Sequence, residues 1–130
     1  MKILVVDDNE GYLEAIGAVL KAYGYELLLA KNGKQAREFL EMEHVDLIIS
    51  DVFMPTLDGV RFHSYVREFA GASETPFIFI SGFDDPYTRE AVFDSNIDFF
   101  FSKTTPIEEL VAVIERFKEV RVEKSADKTV

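Results

Sequence analysis

The chain contains no cysteine. That removes disulfide frameworks and thiolate metal sites, and it suits a reducing compartment. Its 7 glycines are scattered, with no run that could cradle a phosphate, and no segment is of low complexity or internally repeated. Long apolar runs are missing too. The opening Met1-Lys2-Ile3-Leu4-Val5-Val6-Asp7-Asp8 is too short for a signal peptide, and nothing approaches the ~20 residues that cross a bilayer. Basic residues are in deficit, 14 against 24 acidic ones, for a net charge of −10. Such a surface repels nucleic-acid phosphates at every approach, so no direct contact with DNA or RNA is expected. The two histidines, His44 and His63, have no metal-ligand spacing and read as a surface loop residue and a helix residue. A cytoplasmic protein without membrane contact is the expectation, with most of the acidic excess serving solubility.

What is present is an ordinary globular balance, 48% hydrophobic and 29% charged over 130 residues, enough for one domain with a real core. Short apolar runs alternate with amphipathic stretches. The runs are Ile3 to Val6, Tyr25 to Leu29, Val45 to Ile49, Phe77 to Ile80 and Phe99 to Phe101. Most are continuous, as in parallel strands buried on both faces. Between them, Tyr12, Ile16, Val19, Leu20 and Tyr23 share one helical face ahead of a capping Gly24. Ala36, Phe39 and Leu40 mark a second helix, and Phe62, Tyr65, Val66 and Phe69 a third. Asp85-Pro86 opens a fourth. Thr105-Pro106-Ile107-Glu108 is a capping box for a fifth, with Leu110, Val111, Ile114 and Phe117 on its apolar face. The pattern predicts (βα)5 with one domain over residues 1–120 and a frayed polar tail over 121–130.

The chemistry collects at the strand ends. Strand one ends in Asp7-Asp8, strand three in Ser50-Asp51, strand four in Ser81-Gly82 and strand five in Ser102-Lys103. In an open parallel sheet, ligands bind outside the carboxyl ends of the strands where strand order reverses. For the order 2-1-3-4-5 that point lies between strands one and three. Single Asp or Ser residues after strands often cap helices, and Asp8 or Asn9 suits that role, but capping explains the whole set poorly. Three carboxylates brought together repel unless a cation lies between them. Oxygen ligands with open water positions suit Mg²⁺. A carboxylate needs no general base to attack a phosphoryl group, and the acyl phosphate formed would be balanced by Mg²⁺, Lys103 and the Ser81 hydroxyl.

At this point the chain resembles the receiver domain of two-component response regulators, over residues 2 to about 118. The segment Asp51-Val52-Phe53-Met54-Pro55-Thr56-Leu57-Asp58-Gly59 is similar to that family's signature D-x-x-M-P-x-x-D-G. The resemblance implies a flavodoxin-like doubly wound sheet and a phosphoryl group accepted on Asp51 from a sensor histidine kinase or a histidine phosphotransfer protein. It implies that Asp7, Asp8, Asp51 and the main-chain carbonyl of Phe53 hold Mg²⁺, that Ser81 and Lys103 bind the phosphoryl oxygens, and that Phe100 is the aromatic switch. Movement of Ser81 and Phe100 would then rearrange the surface of helix four, strand five and helix five for a downstream protein. Phe100, in a Phe-Phe-Phe strand and without a hydroxyl, is expected to favour the buried position. Tyr87, Val92 and Phe93 offer a partner or homodimer surface, or part of the core. No output domain follows, so the chain reads as a single-domain regulator, or as a receiver from a longer protein with the tail as linker.

Rival readings fit less well. An aspartate-nucleophile phosphatase carries an acid/base Asp two residues after the nucleophile, where this chain has Phe53. A flavin phosphate would be repelled by Asp7, Asp8 and Asp51, and an interaction adaptor requires an unreactive Asp51. The chain departs from the receiver pattern at Thr104, where proline, often after a cis bond, is usual. A cis bond before a non-proline residue costs about 2.5–4 kcal/mol, so this loop is either trans and differently shaped or strained. The positions that flank the attacking water in the family are Phe53 and Phe83 here, and neither ring can activate water. Phosphorylated wild-type protein is therefore expected to outlast Phe53→Asn and Phe83→Glu in a decay measurement. Equal decay rates in all three would remove both rings from control of the lifetime.

Overall fold

Alternate residues of a strand point to opposite faces, so a strand apolar at every position has to be covered on both sides. Ile3 to Val6, Leu47 to Ile49 and Phe77 to Ile80 are buried throughout. The computed structural model describes residues 1–52, 58–69, 71–82 and 97–128, with side chains as far as 118. It sets these runs in a parallel sheet of β1 (Lys2–Val6), β2 (Glu26–Ala30), β3 (Leu47–Asp51), β4 (Phe77–Ser81) and β5 (Asp98–Ser102). The order is β2-β1-β3-β4-β5, as the sequence predicts. β3 begins two residues later than the apolar run does, because Asp46 is held to Lys2 by hydrogen bonds from its main-chain and to its side-chain atoms, both 2.8 Å. In consequence Asp51 is the last residue of the ladder, paired with Ile80.

The alternation creates two cores. Ile3, Val5, Leu47, Ile49, Ile78 and Ile80 face Leu13, Ile16 and Leu20 of α1 (Glu10–Ala22), and Leu110, Val111 and Ile114 of the C-terminal helix (Ile107–Lys128). On the other side, Leu4, Val6, Ile48, Phe77 and Phe79 face Ala36 and Leu40 of α2 (Gly33–Met42), and Phe62 and Val66 of α3 (Gly59–Glu68). Each fully buried Leu, Ile or Phe stabilises the fold by about 1.5–3 kcal/mol, which makes the two cores the main source of stability. The C-terminal helix keeps its backbone form to Lys128, past Arg121, where the apolar period fades and a frayed tail was expected. The fourth helix expected from Asp85-Pro86, with Tyr87, Val92 and Phe93, lies outside the described residues.

Local signals explain where the helices start and stop. Asn9, Asn32 and Asp58 are N-caps whose side chains accept from Tyr12 N, Gln35 N and Arg61 N at 3.0, 2.8 and 2.8 Å. α1 ends in a Schellman motif: Gly24 N bonds Lys21 O and Tyr25 N bonds Leu20 O, with Gly24 at φ 87°. His44 is an exposed loop residue, 3.5 Å from Asp46. His63 is on α3 but buried, its Nε2 2.8 Å from Oδ1 of Asp98, the first residue of β5. Arg67 Nη2 reaches the same oxygen at 2.6 Å while Nη1 donates to Thr75 O at 2.8 Å. This polar cluster fastens the start of β5 to α3 and to the turn before β4.

Gly59 opens α3 where two backbones meet. A Cβ there would overlap the main-chain oxygen of Asp51 and lie 2.9 Å from Val52 Cα, and Gly59 N donates to Val52 O at 2.8 Å. Replacing it forces α3 away from the end of β3, since neither backbone can yield as a side chain would. Gly59→Ala is expected to lower stability by about 1–3 kcal/mol, the usual cost of overpacking. Chemical denaturation measures it, with Gly82→Ala, which meets nothing within 4 Å among the described residues, as the comparison.

Candidate functional site

Side-chain parity decides which groups meet beyond the strand ends. Asp7 continues the Ile3, Val5 series of β1, Asp51 the Leu47, Ile49 series of β3, and Lys103 the Phe99, Phe101 series of β5. All three therefore emerge on the α1 side of the sheet. Ser81 and Phe100 have the opposite parity, that of Phe77, Phe79 and Asp98, and belong to the α3 side. Between β1 and β3 the chain order reverses, and the carboxylates of Asp7, Asp8 and Asp51 converge there, with one oxygen from each lying within 4.8 Å of the others.

Each group is held by its own element. Asp7 is 0% exposed; its N–H donates to Ala30 O at 3.0 Å, and its Oδ1 accepts from Asn9 N at 2.9 Å. Asp51 is 8% exposed and Asp8 open to solvent. Lys103 is anchored by its own N–H, which donates to Ser81 O at 2.8 Å. Its Nζ lies 2.7 Å from Asp7 Oδ2 and donates to Asp51 Oδ2 at 3.2 Å. Burial alone would pull the Lys103 pKa down. The Asp7 contact and the charges of Asp51 and Asp7 outweigh it and hold the ammonium above the ordinary lysine range. The lysine is therefore charged throughout the neutral range, and any stability it contributes is lost only as pH rises above that range.

The donor set suits a hard divalent cation. Asp7 Oδ2 is buried and accepts no hydrogen bond of good geometry; the Lys103 ammonium beside it has ion-pair distance without the alignment. Three carboxylates face one ammonium, an excess of acidic groups that one Mg²⁺ would complement. The donors of the cluster are carboxylate oxygens, and one of them, on Asp8, is exposed to solvent.

Ser81, 1% exposed, ends β4, and among the described residues nothing lies within 4 Å of a Cβ placed on Gly82. Phe100 is half-buried against the α2 and α3 core rather than fully enclosed. The peptide bond after Lys103 is trans, since there is no cis bond among the described residues. The loop that follows is tied by a 2.7 Å contact between the hydroxyls of Ser102 and Thr104. Phe53 and Phe83 lie outside the described residues. Tyr12 was singled out only as an α1 core position, yet its ring faces Lys103 Nζ at 4.8 Å from its centroid. Its helical period gave no sign of that second neighbour, which only the assembled fold supplies.

A family model described as the response regulator receiver domain matches residues 3–115. Among curated proteins, response regulator MprA of Mycolicibacterium vanbaalenii is 30% identical over 112 residues, 86% of this chain and 48% of that protein. The transcriptional regulatory protein DltR of Streptococcus agalactiae is 34% identical over 114 residues, 88% of this chain and 50% of that protein. The chain thus spans about half the length of the curated relatives it matches. Among solved structures, the chemotaxis response regulator CheY4 of Vibrio cholerae superposes with a TM-score of 0.79 at 28% identity, covering 89% of this chain and 97% of that one. The receiver domain of sensor histidine kinase PA1611 from Pseudomonas aeruginosa gives 0.80 at 27%, covering 89% and 95%, and was solved with a magnesium ion in its active site cleft.

Binding of Mg²⁺ to the folded state alone would stabilise it by mass action, about 2.7 kcal/mol at a hundredfold excess over Kd. The thermal unfolding midpoint is expected to rise with Mg²⁺ in the wild type and to stay flat in Asp8→Ala. A rise of equal size in Asp8→Ala would remove Asp8 from the metal site.

Proposed function

Because the chain belongs to the response regulator receiver family of two-component signalling systems, we propose that Asp51 accepts a phosphoryl group from a partner histidine kinase or histidine phosphotransfer protein. The observation that carries this reading is the convergence of the Asp7, Asp8 and Asp51 carboxylates, with Lys103 reaching both Asp7 and Asp51. Asp51 is the member on the last rung of β3, held by the ladder, with 8% of its surface exposed.

The step needs little from the protein beyond position and charge. An Asp51 Oδ lone pair forms the new O–P bond as the P–N bond to the donor imidazole breaks, and the leaving nitrogen keeps that electron pair. No general base takes part, because the nucleophile is already an anion. Asp7, Asp8 and Asp51, with the Phe53 carbonyl, would hold Mg²⁺, which when bound neutralises charge on the phosphoryl oxygens. Lys103, already 3.2 Å from Asp51, turns its ammonium to those oxygens, and the Ser81 hydroxyl binds them from the α3 side. Movement of Ser81 toward the phosphoryl group frees space beside Phe100, two strand positions from the His63–Asp98 contact. The surface of the expected fourth helix, β5 and the C-terminal helix then changes for a downstream protein, with a homodimer through the Tyr87, Val92 and Phe93 region as one form of output. The module accepts one phosphoryl group per chain and loses it slowly, and does not turn over a substrate as an enzyme would.

With Mg²⁺ and acetyl phosphate, intact mass is expected to show the addition of a single phosphoryl group in the wild type and none in Asp51→Asn. Asp8→Ala should lose the adduct while remaining folded. A native-state adduct that persists in Asp51→Asn would sink the assignment.

A further inference from the structure

Lys103 has to keep its ammonium over Asp51 although four rotatable methylenes separate it from the backbone. Its main chain is fixed at both ends, by the bond from its N–H to Ser81 O at 2.8 Å and by the loop that Thr104 N closes on Ser102 Oγ at 3.2 Å. Its head has Asp7 at 2.7 Å and Asp51 at 3.2 Å on one side. On another side stands the ring of Tyr12, its centroid 4.8 Å from Nζ. Tyr12 is itself fixed in place: its N–H is taken by the Asn9 cap, and its ring is half-buried against the α1-side core. We propose that Tyr12 is a positioning residue for phosphoryl transfer, its ring face holding the Lys103 ammonium beside Asp51.

Tyr12 does this as a neutral ring. Burial pushes its hydroxyl up, Lys103 pulls it down and Asp7 and Asp51 push it up, so it is not an anion in the neutral range. The attraction is that of a cation for the negative face of an aromatic ring, strengthened here because Lys103 is only 20% exposed. The ring also differs from the two carboxylates in kind. A cation or a phosphoryl group that engages Asp7 or Asp51 alters those partners of Lys103, whereas the Tyr12 ring face offers no oxygen to a hard cation and no positive charge to a phosphoryl group. It is the partner that persists through the reaction. An indifferent filler of the same volume would keep the core packed but would leave the ammonium free to swing toward solvent.

The inference rests on the receiver reading, and two measurements separate its failure from failure of that reading. The first needs no metal or phosphodonor: the ε-methylene protons of Lys103 are expected to be shifted upfield by the Tyr12 ring current, with the shift lost in Tyr12→Leu and kept in Tyr12→Phe. The second is the rate of Mg²⁺-dependent phosphorylation by acetyl phosphate, expected to fall about threefold to tenfold in Tyr12→Leu, the scale of one partly desolvated cation–π contact. Tyr12→Phe should restore it. Thermal unfolding is followed in parallel, and Tyr12→Met replaces Tyr12→Leu if the branched side chain lowers the midpoint. Absence of the ring-current shift in the wild type, or a wild-type rate in both Leu and Met variants, overturns the role of Tyr12. No adduct on any variant including wild type, with the ring-current shift present, overturns the phosphoacceptor reading and leaves the Tyr12–Lys103 contact standing as structure only.

Discussion

Mutual repulsion among Asp7, Asp8 and Asp51 is the constraint around which this domain is arranged. Their oxygens lie within 4.8 Å of one another, and two of the three side chains are nearly or fully out of solvent. Carboxylates so placed oppose folding unless positive charge meets them. The fold supplies one such charge from the far edge strand, Lys103, whose backbone is bound to Ser81 and whose head faces both buried aspartates. The negative charge that remains is the complement of a divalent cation, and it would repel an anionic phosphoryl group unless such a cation were bound. Stability and chemistry thus pull against each other at the same few atoms.

The two-residue period of the strands divides the labour. Odd-numbered ends of β1, β3 and β5 deliver Asp7, Asp51 and Lys103 to the α1 side, where Tyr12 closes the array. Ser81, Phe100 and Asp98 point to the other face, the α3 side. A group bound at Asp51 therefore has charge partners on one face of the sheet and a route to the other face only through the strand ends. Ser81 sits at that boundary, its side chain on the α3 side and its main-chain oxygen accepting from Lys103 N at 2.8 Å.

Much of this was legible in the sequence. The continuous apolar runs named a parallel sheet, and the polar residues after them named the site. Asp58-Gly59 was legible only as part of a signature. The fold supplies its reasons: Asp58 caps α3, and Gly59 lets that helix start against the Asp51 backbone. The His63–Asp98 and Arg67–Asp98 contacts were not legible, because they join residues 35 and 31 positions apart and no local period encodes such pairs. β3 starts two residues after its apolar run does, since apolarity at Val45 marks burial while Leu47 is the first residue paired with β1. The loop after Lys103 was open between two shapes, and its trans bond with the Ser102–Thr104 hydroxyl contact resolves which.

The Asp98 cluster also has a mechanical meaning. β5 is an edge strand with β4 as its ladder neighbour, and its first residue is clamped to α3 by His63 and Arg67 while the residues after it are half-buried. A rod pinned at one end and supported along one side moves by pivoting, with displacement growing along its length at a rise of about 3.3 Å per residue. Asp98 is the pin, Phe100 lies near the middle, and Lys103 stands just beyond the far end, where its N–H joins it to Ser81 O of β4 at 2.8 Å. A tilt too slight to disturb the clamp would still carry the ammonium by a distance that matters to a hydrogen bond. The edge of the sheet is thereby built as a lever whose long arm ends beside Asp51.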